Sequence, residues 1–336
     1  MRVLVTGAAG FIGYHTCEAL IQRGYEVIGL DNLNEYYDPT LKVARLDRLV
    51  KNGNRFKFIK VDLADRGAME SVFASEKPKR VINLAAQAGV RYAALNPHVY
   101  IESNITGFLH VLEGCRRHEI EHLVFASTSS VYGLNAALPF REDQIADHPL
   151  NLYAATKRAN ELMAHSYSHL YGFSVTGLRF FTVYGPWGRP DMSLFLFTRN
   201  ILAGDPIEVF NNGKHARDFT YIDDVVEGIV RTLEVLPTAN PEWDKAAPRP
   251  DTSSAPYRVY NIGNNRQVEL MHFIHCIEKT VGKQARKVFL PLQPGDVTST
   301  FADNSRIASA IDFRPATAIE VGVARFVEWY RAYYGV

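Results

Sequence analysis

The chain has 336 residues, of which 47% are hydrophobic, 12% aromatic and 22% charged, a composition typical of a folded globular protein and not of a disordered or fibrous one. Its 37 Lys and Arg residues balance 36 Asp and Glu residues, for a formal net charge of +1, so no nucleic acid or other polyanion is expected as a partner. The length allows two domains at about 150 residues each.

Short apolar strands alternate with helical stretches over the first 180 residues, which is the pattern of a parallel sheet with crossover helices. The predicted strands cover residues 2–6, 26–31, 56–61, 80–84, 123–127 and 174–179. The predicted helices between them cover residues 11–23, 66–75, 97–118 and 153–171. This order predicts an α/β fold built on a Rossmann-like doubly wound parallel sheet.

The regular alternation ends after residue 180, where the rest of the chain predicts a second unit. Five prolines from Pro237 to Pro256 exclude a continuous helix or central strand there and indicate a surface connection. Three more helices are predicted over residues 194–203, 269–281 and 318–334. We therefore predict a first domain of residues 1–180 with about 219–237 and 257–263, and a smaller C-terminal α/β lobe of about 181–218 and 264–336.

A glycine-rich turn joins the first predicted strand to the first predicted helix. Its glycines are spaced G-x-x-G-x-x-G, and they lie where a pyrophosphate needs close approach to the backbone and to a helix N-terminus. The alternative is that the glycines serve only close packing of the helix on the strand. The strand-turn-helix context favours a dinucleotide site that includes Gly7, Gly10, Phe11, Ile12 and Gly13.

The second predicted strand ends at Asp31, 24 residues after Gly7, close to the spacing at which a carboxylate binds the adenosine ribose hydroxyls. A carboxylate there would repel a 2′-phosphate, and no arginine follows directly, so the pattern favours NAD over NADP. The alternative is a solvated acid at a strand end. We expect Asn32 to contact the cofactor, and Asp62 and Leu63 to lie beside the adenine.

Tyr153 and Lys157 are four residues apart in a predicted helix and therefore share one face. An ammonium ~4 Å from the phenol would lower the pKa of Tyr153 from its ordinary value near ~10 toward neutrality. A phenol with such a pKa can act as a general base. Taken alone, the Tyr-x-x-x-Lys spacing also suits an exposed pair on a helix.

Four consecutive hydroxyl-bearing residues follow the fifth predicted strand. The carboxyl ends of parallel strands face the ligand crevice of a doubly wound sheet, so these hydroxyls can bond a sugar or a developing carbonyl oxygen. Helix capping is the alternative. The residues are Ser127, Thr128, Ser129 and Ser130.

With these motifs in this order, the chain resembles the extended short-chain dehydrogenase/reductase family over nearly its whole length. Among the NAD-dependent epimerases and dehydratases of that family, it is most similar to the UDP-glucuronate 4-epimerases. The resemblance also includes residues 84–91 (LAAQAGVR), 131–133 (VYG), 179–186 (RFFTVYGP), 217–225 (RDFTYIDDV) and 294–296 (PGD). It implies a bound NAD, with C4 of a UDP-sugar oxidised and then reduced again after the 4-keto sugar has turned in the pocket.

The same resemblance implies roles for individual residues. Tyr153 takes the C4 hydroxyl proton, Lys157 binds the nicotinamide ribose and polarises the phenol, and Thr128 bonds the reacting oxygen. Arg217 meets the diphosphate, and Asp296 fixes the nucleotide end. The other expected NAD contacts are Leu84, Ala85, Ala86, Ser127, Phe180 and Val183, and the other expected substrate contacts are Gln87, Arg91, Ser129, Ser130 and Thr182.

The resemblance also implies that the first domain binds NAD and the smaller lobe binds the UDP-sugar. In similar proteins the helices that begin here at Pro97 and Tyr153 form the face of a homodimer, so a homodimer is expected.

Two positions favour epimerisation over elimination. In the related dehydratases and decarboxylases an acid lies near Ser129 and Ser130, because chemistry at C5 and C6 needs a proton donor that a hydroxyl cannot replace near neutrality. Arg189 is the candidate ligand for a sugar carboxylate, unless it pairs with Asp191 or solvent. Thr182 stands where the galactose epimerases carry an Asn, which argues against a C6 hydroxymethyl group.

These observations predict an NAD-dependent 4-epimerase that interconverts UDP-glucuronate and UDP-galacturonate. The alternatives are a UDP-glucose/galactose 4-epimerase, a nucleotide-sugar decarboxylase or dehydratase, and a non-catalytic NAD-sensing module.

Cysteine usage and hydropathy predict the compartment. Cys17, Cys115 and Cys276 are odd in number and far apart, so they outline neither a disulfide framework nor a paired-cysteine zinc site. The N-terminal apolar run is too short for a signal peptide, and no stretch reaches the ~18 apolar residues of a membrane span. We therefore expect a cytoplasmic protein with no membrane partner and no bound metal.

Overall fold

The computed structural model of the protein describes residues 1–293 and 295–336. Pro294, part of the family resemblance, lies outside the described residues. The strands are β1 (Arg2–Thr6), β2 (Glu26–Asp31), β3 (Phe56–Lys60), β4 (Arg80–Asn83), β5 (His122–Thr128), β6 (Ser174–Phe180), β7 (Thr182–Tyr184), β8 (Pro206–Val209), β9 (Ala216–Tyr221), β10 (Tyr257–Ile262), β11 (Gln267–Glu269) and β12 (Arg286–Phe289).

The helices surround these strands. They are α1 (Phe11–Gln22), α2 (Pro39–Val50), α3 (Arg66–Glu76), α4 (His98–Tyr100), α5 (Gly107–Arg117), α6 (Leu152–Tyr171), α7 (Ser193–Ala203), α8 (Ile222–Glu234), α9 (Leu270–Val281), α10 (Ser305–Ile311) and α11 (Ile319–Tyr334). The predicted helix over 97–118 is observed in three consecutive parts, α4, a π-helical segment at Ile101–Thr106, and α5.

A seven-stranded sheet with the order β10-β6-β5-β4-β1-β2-β3 forms the centre of the molecule, and all of its neighbouring strands are parallel. The smaller lobe contains a three-stranded sheet, β11-β9-β7, and a two-stranded sheet, β12-β8. The prediction of a Rossmann-like parallel sheet with a smaller C-terminal lobe is therefore confirmed.

Apolar runs in the strands follow from burial on both faces of the large sheet. Val3, Leu4 and Val5 are all 0% exposed, although successive side chains of a strand point to opposite faces. Val3 and Val5 belong to the core that includes Leu20 of α1, whereas Leu4 belongs to the core that includes Phe108 of α5. Helices thus cover both faces and leave the carboxyl ends of the strands open.

The fold contains elements that the sequence did not predict, which are helices α2, α8 and α10 and strands β7 to β12. Helix α2 was not predicted, although Pro39 stands in its first turn and Asp38 caps it by accepting from the Thr40 amide at 2.9 Å. Residues 219–221 form the end of β9 and pair with β7 in the small sheet. The domain boundaries, including the placement of these residues in the first domain, stay a prediction.

Within the described residues, no helix combines the length and the apolar character that crossing a bilayer requires. Cys17, Cys115 and Cys276 are buried free thiols.

Candidate active site

All of the site residues predicted from the sequence line one cavity of about 1140 Å³. The glycine-rich turn and the polar ends of β2, β5 and β6 contribute to it from the large sheet, and Arg217 and Asp296 contribute to it from the smaller lobe. The cavity therefore lies where a doubly wound sheet binds its ligands, at the carboxyl ends of the strands.

The glycine-rich turn leaves no room for side chains. Gly7 has a φ of +73°, and a Cβ at this position would lie 2.9 Å from the Ala85 nitrogen. A Cβ on Gly13 would lie 2.0 Å from the Gly7 oxygen. The amide of Gly10 donates to that same oxygen at 2.9 Å, and α1 begins at the next residue. The free amides of a helix N-terminus and this close backbone approach fit the diphosphate of a dinucleotide.

The carboxylate of Asp31 is held beside this turn. It accepts from the amides of Ala9 at 3.1 Å and Leu33 at 2.9 Å. Burial raises the pKa of Asp31, whereas the two amides and the ammonium of Lys42 lower it. These bonds hold the carboxylate at the wall of the cavity, next to the glycine-rich turn.

Asn32 and Asp62 form the neighbouring corner of the cavity. The amide of Asn32 donates to Asp62 at 2.9 Å, and Leu63 lines the cavity next to them. Lys42, which the sequence analysis missed, donates to the backbone oxygen of Asn34 at 2.6 Å. The corner thus offers polar groups and one apolar side chain, as an adenosine requires.

Arg45 connects the two sides of the cavity and was also missed. Its buried guanidinium donates to the Ala9 oxygen and the Tyr37 hydroxyl, each at 2.8 Å, and to the Trp187 oxygen at 2.6 Å. Ala9 lies in the glycine turn, and Trp187 lies two residues before Arg189. Helix α2 therefore ties the predicted cofactor side of the cavity to the loop that carries Arg189.

Tyr153 and Lys157 lie in the first two turns of α6, which Asn151 caps by accepting from the Ala154 amide at 2.9 Å. Both side chains line the cavity, as their spacing predicts. Burial lowers the pKa of Lys157 to about 8, and the charge of Glu161 opposes this effect.

The expectation that Lys157 lowers the pKa of Tyr153 to near neutrality is wrong for this structure. Burial raises the pKa of Tyr153, and the groups that lower it are the guanidinium of Arg189 and the hydroxyl of Thr128. The helical spacing brings the two side chains to one face, but the buried surroundings disfavour the charged forms of both.

Thr128 ends β5, where it caps the turn that follows and also lines the cavity. Its hydroxyl accepts from the Ser130 amide and donates to the Ser130 hydroxyl, each at 3.2 Å, which caps the short 3₁₀ turn at Ser129–Tyr132. The same hydroxyl lines the cavity and affects the pKa of Tyr153. Capping therefore does not remove Thr128 from the site.

A buried charge cluster, which the sequence analysis did not single out, lies beneath the cavity. Glu161 accepts from the Ser127 hydroxyl at 2.5 Å, from two nitrogens of Arg179 at 2.9 Å each, and from Arg158 at 2.8 Å. Burial alone would raise the pKa of Glu161, but the two guanidinium groups and the hydroxyl lower it to about 2. The cluster fixes the end of β5 against α6, one turn after Lys157.

Arg189 forms an ion pair with Asp191, which is the alternative that the sequence left open. Its Nε donates to one carboxylate oxygen at 3.0 Å, and its Nη2 donates to the other at 2.5 Å. The Tyr36 hydroxyl donates to the same carboxylate at 3.1 Å. Among the described residues, nothing accepts a hydrogen bond from Nη1 of Arg189. The pair faces the cavity together with Ser129 and Thr182.

The predicted diphosphate end of the cavity carries two arginines. Arg217 donates to the backbone oxygen of Val297 at 2.5 Å, which orients its guanidinium. Arg91 donates to Asp296 at 3.0 Å, and its Cζ lies 4.5 Å from the ring centroid of Phe210. Phe210 was not singled out from the sequence, since no motif marks a lone aromatic residue in a loop.

The profile of the NAD dependent epimerase/dehydratase family matches residues 3–263. The chain is 48% identical to a probable UDP-glucuronate 4-epimerase of Rhizobium meliloti strain 1021, covering 98% of this chain and 97% of that one. It is 45% identical to UDP-glucuronate 4-epimerase 1 of Arabidopsis thaliana, and the match covers 100% of this chain and 78% of that one.

Among solved structures, it resembles the UDP-glucuronic acid 4-epimerase from Bacillus cereus in complex with UDP-glucuronic acid and NAD. The sequence identity is 32%, the TM-score is 0.88, and the match covers 99% of this chain and 100% of that one. The resemblance predicted from the motifs is confirmed, and the chain belongs to the NAD dependent epimerase/dehydratase family.

Proposed function

We propose that this protein is an NAD-dependent 4-epimerase that interconverts UDP-glucuronate and UDP-galacturonate. The observation that carries the proposal is the meeting of Tyr153, Lys157, Thr128 and Arg189 in one cavity with a glycine turn that fits a dinucleotide. The UDP-glucuronate 4-epimerases among the similar proteins support the same substrate.

Proton transfer at C4 is the task of Tyr153. In its ionised form Tyr153 accepts the proton of the C4 hydroxyl; burial raises the pKa of the phenol, and Arg189 and Thr128 oppose that effect. The glycine turn and Asp31 would hold NAD, which would supply the hydride acceptor and donor for C4. Thr128 can donate to the C4 oxygen as that oxygen becomes a carbonyl. Lys157 holds the nicotinamide ribose. Tyr153 then returns its proton to the C4 oxygen.

The neighbours of Thr128 explain why the reaction stops at epimerisation. Ser129 and Ser130 carry hydroxyls at the positions where elimination or decarboxylation would use an acid. Hydroxyls cannot exchange protons at C5 near neutrality, because their pKa lies far above it. Only the C4 proton and hydride are therefore transferred.

Product analysis in deuterated water tests the proposed function. Purified protein with UDP-glucuronate should give UDP-galacturonate that keeps hydrogen at C4 and C5, as nuclear magnetic resonance and mass spectrometry would show. UDP-glucose, offered in parallel, should turn over at least tenfold more slowly. Deuterium at C5, loss of water or carbon dioxide, or a preference for UDP-glucose would each contradict the proposal, and NAD binding without product would indicate a sensing module.

The substrate carboxylate is assigned to Arg189 together with the hydroxyls of Ser129, Ser130 and Thr182. The Asp191 carboxylate accepts from Nε and Nη2 of the guanidinium on one side and fixes its plane, and the Tyr36 hydroxyl donates to the same carboxylate. Nη1 is then oriented for a charge-assisted hydrogen bond to the sugar carboxylate. Such bonds hold the negative charge on the carboxylate of the 4-keto intermediate, which is a β-keto acid.

Arg189→Ala should therefore lower 4-epimer formation by about 10- to 100-fold and release carbon dioxide with a UDP-pentose. Without the guanidinium, the C5–C6 bond can break and its electron pair can pass into the 4-keto group to form an enolate. Solvent water then protonates C5, and return of the hydride to C4 would give the UDP-pentose. Carbon dioxide release and chromatography of the nucleotide sugars measure the effect. Arg66→Ala, on the surface of α3, is the control and should behave as wild type. An inactive Arg189→Ala protein that forms no UDP-pentose would count against this role.

We propose that the protein forms a homodimer and that the helices α5 and α6 make up the contact face. These helices adjoin each other, and the hydroxyl of Tyr167 in α6 donates to Glu113 in α5 at 2.8 Å. Leu162, on the outer side of α6, has 58% of its surface exposed, and Leu109 of α5 is exposed as well. A second copy of the chain would cover this apolar face with its own α5 and α6. Leu162→Glu should shift the protein from dimer to monomer in light scattering.

Val43→Glu is the matched control for this variant, because Val43 is 46% exposed but lies on α2. It should remain dimeric. A wild-type protein that is monomeric at micromolar concentration, or a dimeric Leu162→Glu protein, would refute the proposed face.

A further inference from the structure

A histidine, a cysteine and a glutamate meet on the smaller lobe, outside the cavity described above. His272 and Cys276 are four residues apart in α9 and share one face of that helix, and Glu320 lies in the first turn of α11. Nε2 of His272 lies 3.0 Å from Oε1 of Glu320 and 3.7 Å from Sγ of Cys276. All three donor atoms lie within 4.8 Å of one another.

Two of these three separations are close to those of a tetrahedral zinc site. With a Zn–S bond of about 2.3 Å and Zn–N and Zn–O bonds of about 2.0–2.2 Å, tetrahedral angles place S and N about 3.6 Å apart and N and O about 3.4 Å apart. The observed separations of 3.7 Å and 3.0 Å differ from these values by a few tenths of an ångström. Small rotations of exposed side chains can accommodate such differences.

The surroundings of the three residues suit a metal site. Cys276 is buried, so packing fixes the position of its sulfur. The side chains of His272 and Glu320 are 49% and 60% exposed, so an ion and a water molecule can reach the open side. A thiolate with an imidazole selects zinc-class ions over calcium and magnesium, which prefer oxygen ligands.

We propose that His272, Cys276 and Glu320 bind a zinc-class divalent cation with water as the fourth ligand. The thiol gives up its proton to solvent when the sulfur binds the ion. Because two ligands lie in α9 and the third lies in α11, the ion ties these two helices together. The sequence predicted no metal, since Glu320 lies 44 positions after Cys276 and no compact motif joins them.

The role inferred for this ion is structural. The carbonyl of Ala318, which caps α11, accepts a hydrogen bond from the Tyr184 hydroxyl at 3.4 Å. Tyr184 ends β7, whose first residue, Thr182, lines the cavity. Fixing α11 on α9 therefore stabilises the smaller lobe without placing the ion among the reacting groups.

Titration with Co²⁺ tests the proposal on the purified full-length chain, kept reduced and first treated with a chelator. One equivalent should produce a thiolate-to-cobalt charge-transfer band and the strong visible bands of a four-coordinate ion, and Zn²⁺ should displace both. Saturating Zn²⁺ should raise the Tm by roughly 3 °C, since an ion that binds only the folded state stabilises it.

Cys276→Ser should abolish the charge-transfer band, and Glu320→Gln, at an exposed position, should weaken binding by at least tenfold. His275→Ala, on the exposed side of the same helix, is the control and should bind Co²⁺ as wild type does. Absence of the charge-transfer band from the wild type, or its persistence in a folded Cys276→Ser protein, would overturn the proposal. Neither result would affect the proposed epimerase activity, whose residues lie in the cavity.

Discussion

Tyr153→Phe is expected to lower kcat for UDP-glucuronate by about 10³-fold, within the range of 10²–10⁴ that general acid–base catalysis contributes. The change removes only the hydroxyl that accepts the C4 proton. The ring keeps its contacts, which include an edge-to-face arrangement with Tyr100 at a centroid distance of 6.4 Å. KM should therefore change by less than about threefold, because binding of substrate is retained.

Tyr171→Phe is the matched control, since Tyr171 is the last residue of the same helix and is exposed. Initial rates over a range of UDP-glucuronate concentrations give kcat and KM for both variants. A Tyr153→Phe protein that keeps more than a tenth of the wild-type kcat would mean that another group accepts the proton.

The cofactor half of the site could be predicted from the sequence because its signals are local. Gly7, Gly10 and Gly13 follow a strand and open a helix, and Asp31 ends the next parallel strand at the same edge of the sheet. Parallel topology alone brings such positions together. The same reasoning placed the hydroxyls after β5 in the cavity.

Helix α2 could not be predicted in this way, because its buried face carries charges. Lys42 and Arg45 lie between the apolar residues Leu41 and Leu46, which obscures the hydrophobic periodicity. Arg45 is buried because the Trp187 oxygen, 142 residues away, accepts from it. A single sequence shows neither that partner nor the resulting burial.

The group that lowers the pKa of Tyr153 could not be predicted from the sequence either. The spacing pointed to Lys157, but the cation that lowers the pKa of the phenol is Arg189, which the folding of the smaller lobe brings to the cavity. Glu161 likewise lies in a polar stretch of α6 that suggests a solvated face. Its burial depends on Arg179 of the neighbouring strand β6.

Glu161→Gln is expected to lower the free energy of unfolding at pH 7 by about 3–5 kcal/mol. Glutamine keeps the shape but removes the charge that pairs with Arg158 and Arg179, and the guanidinium of Arg179 is fully buried. Urea-induced unfolding would measure the change. Glu328→Gln, at an exposed position on α11, should alter the stability by less than about 0.5 kcal/mol.

The dependence of this loss on pH follows from the pKa of Glu161, which is lowered from 4.5 to about 2 in the folded protein. The stability contributed by its ionised form is complete above the unfolded pKa and is lost as the pH falls from about 4.5 toward 2. The difference in the free energy of unfolding between wild type and Glu161→Gln should therefore be constant from pH 7 to pH 5 and become smaller below pH 5.

Adding Arg179→Met to Glu161→Gln should recover part of the loss, because the buried guanidinium then no longer lacks its counter-ion. The single variant should also lower the pKa of Lys157 further, since the charge of Glu161 opposes the effect of burial on it. The prediction would be contradicted if Glu161→Gln lowered the free energy of unfolding by less than about 1 kcal/mol. It would also be contradicted if the single and the double variant lost the same amount, because the charge of Glu161 would then not stabilise the cluster.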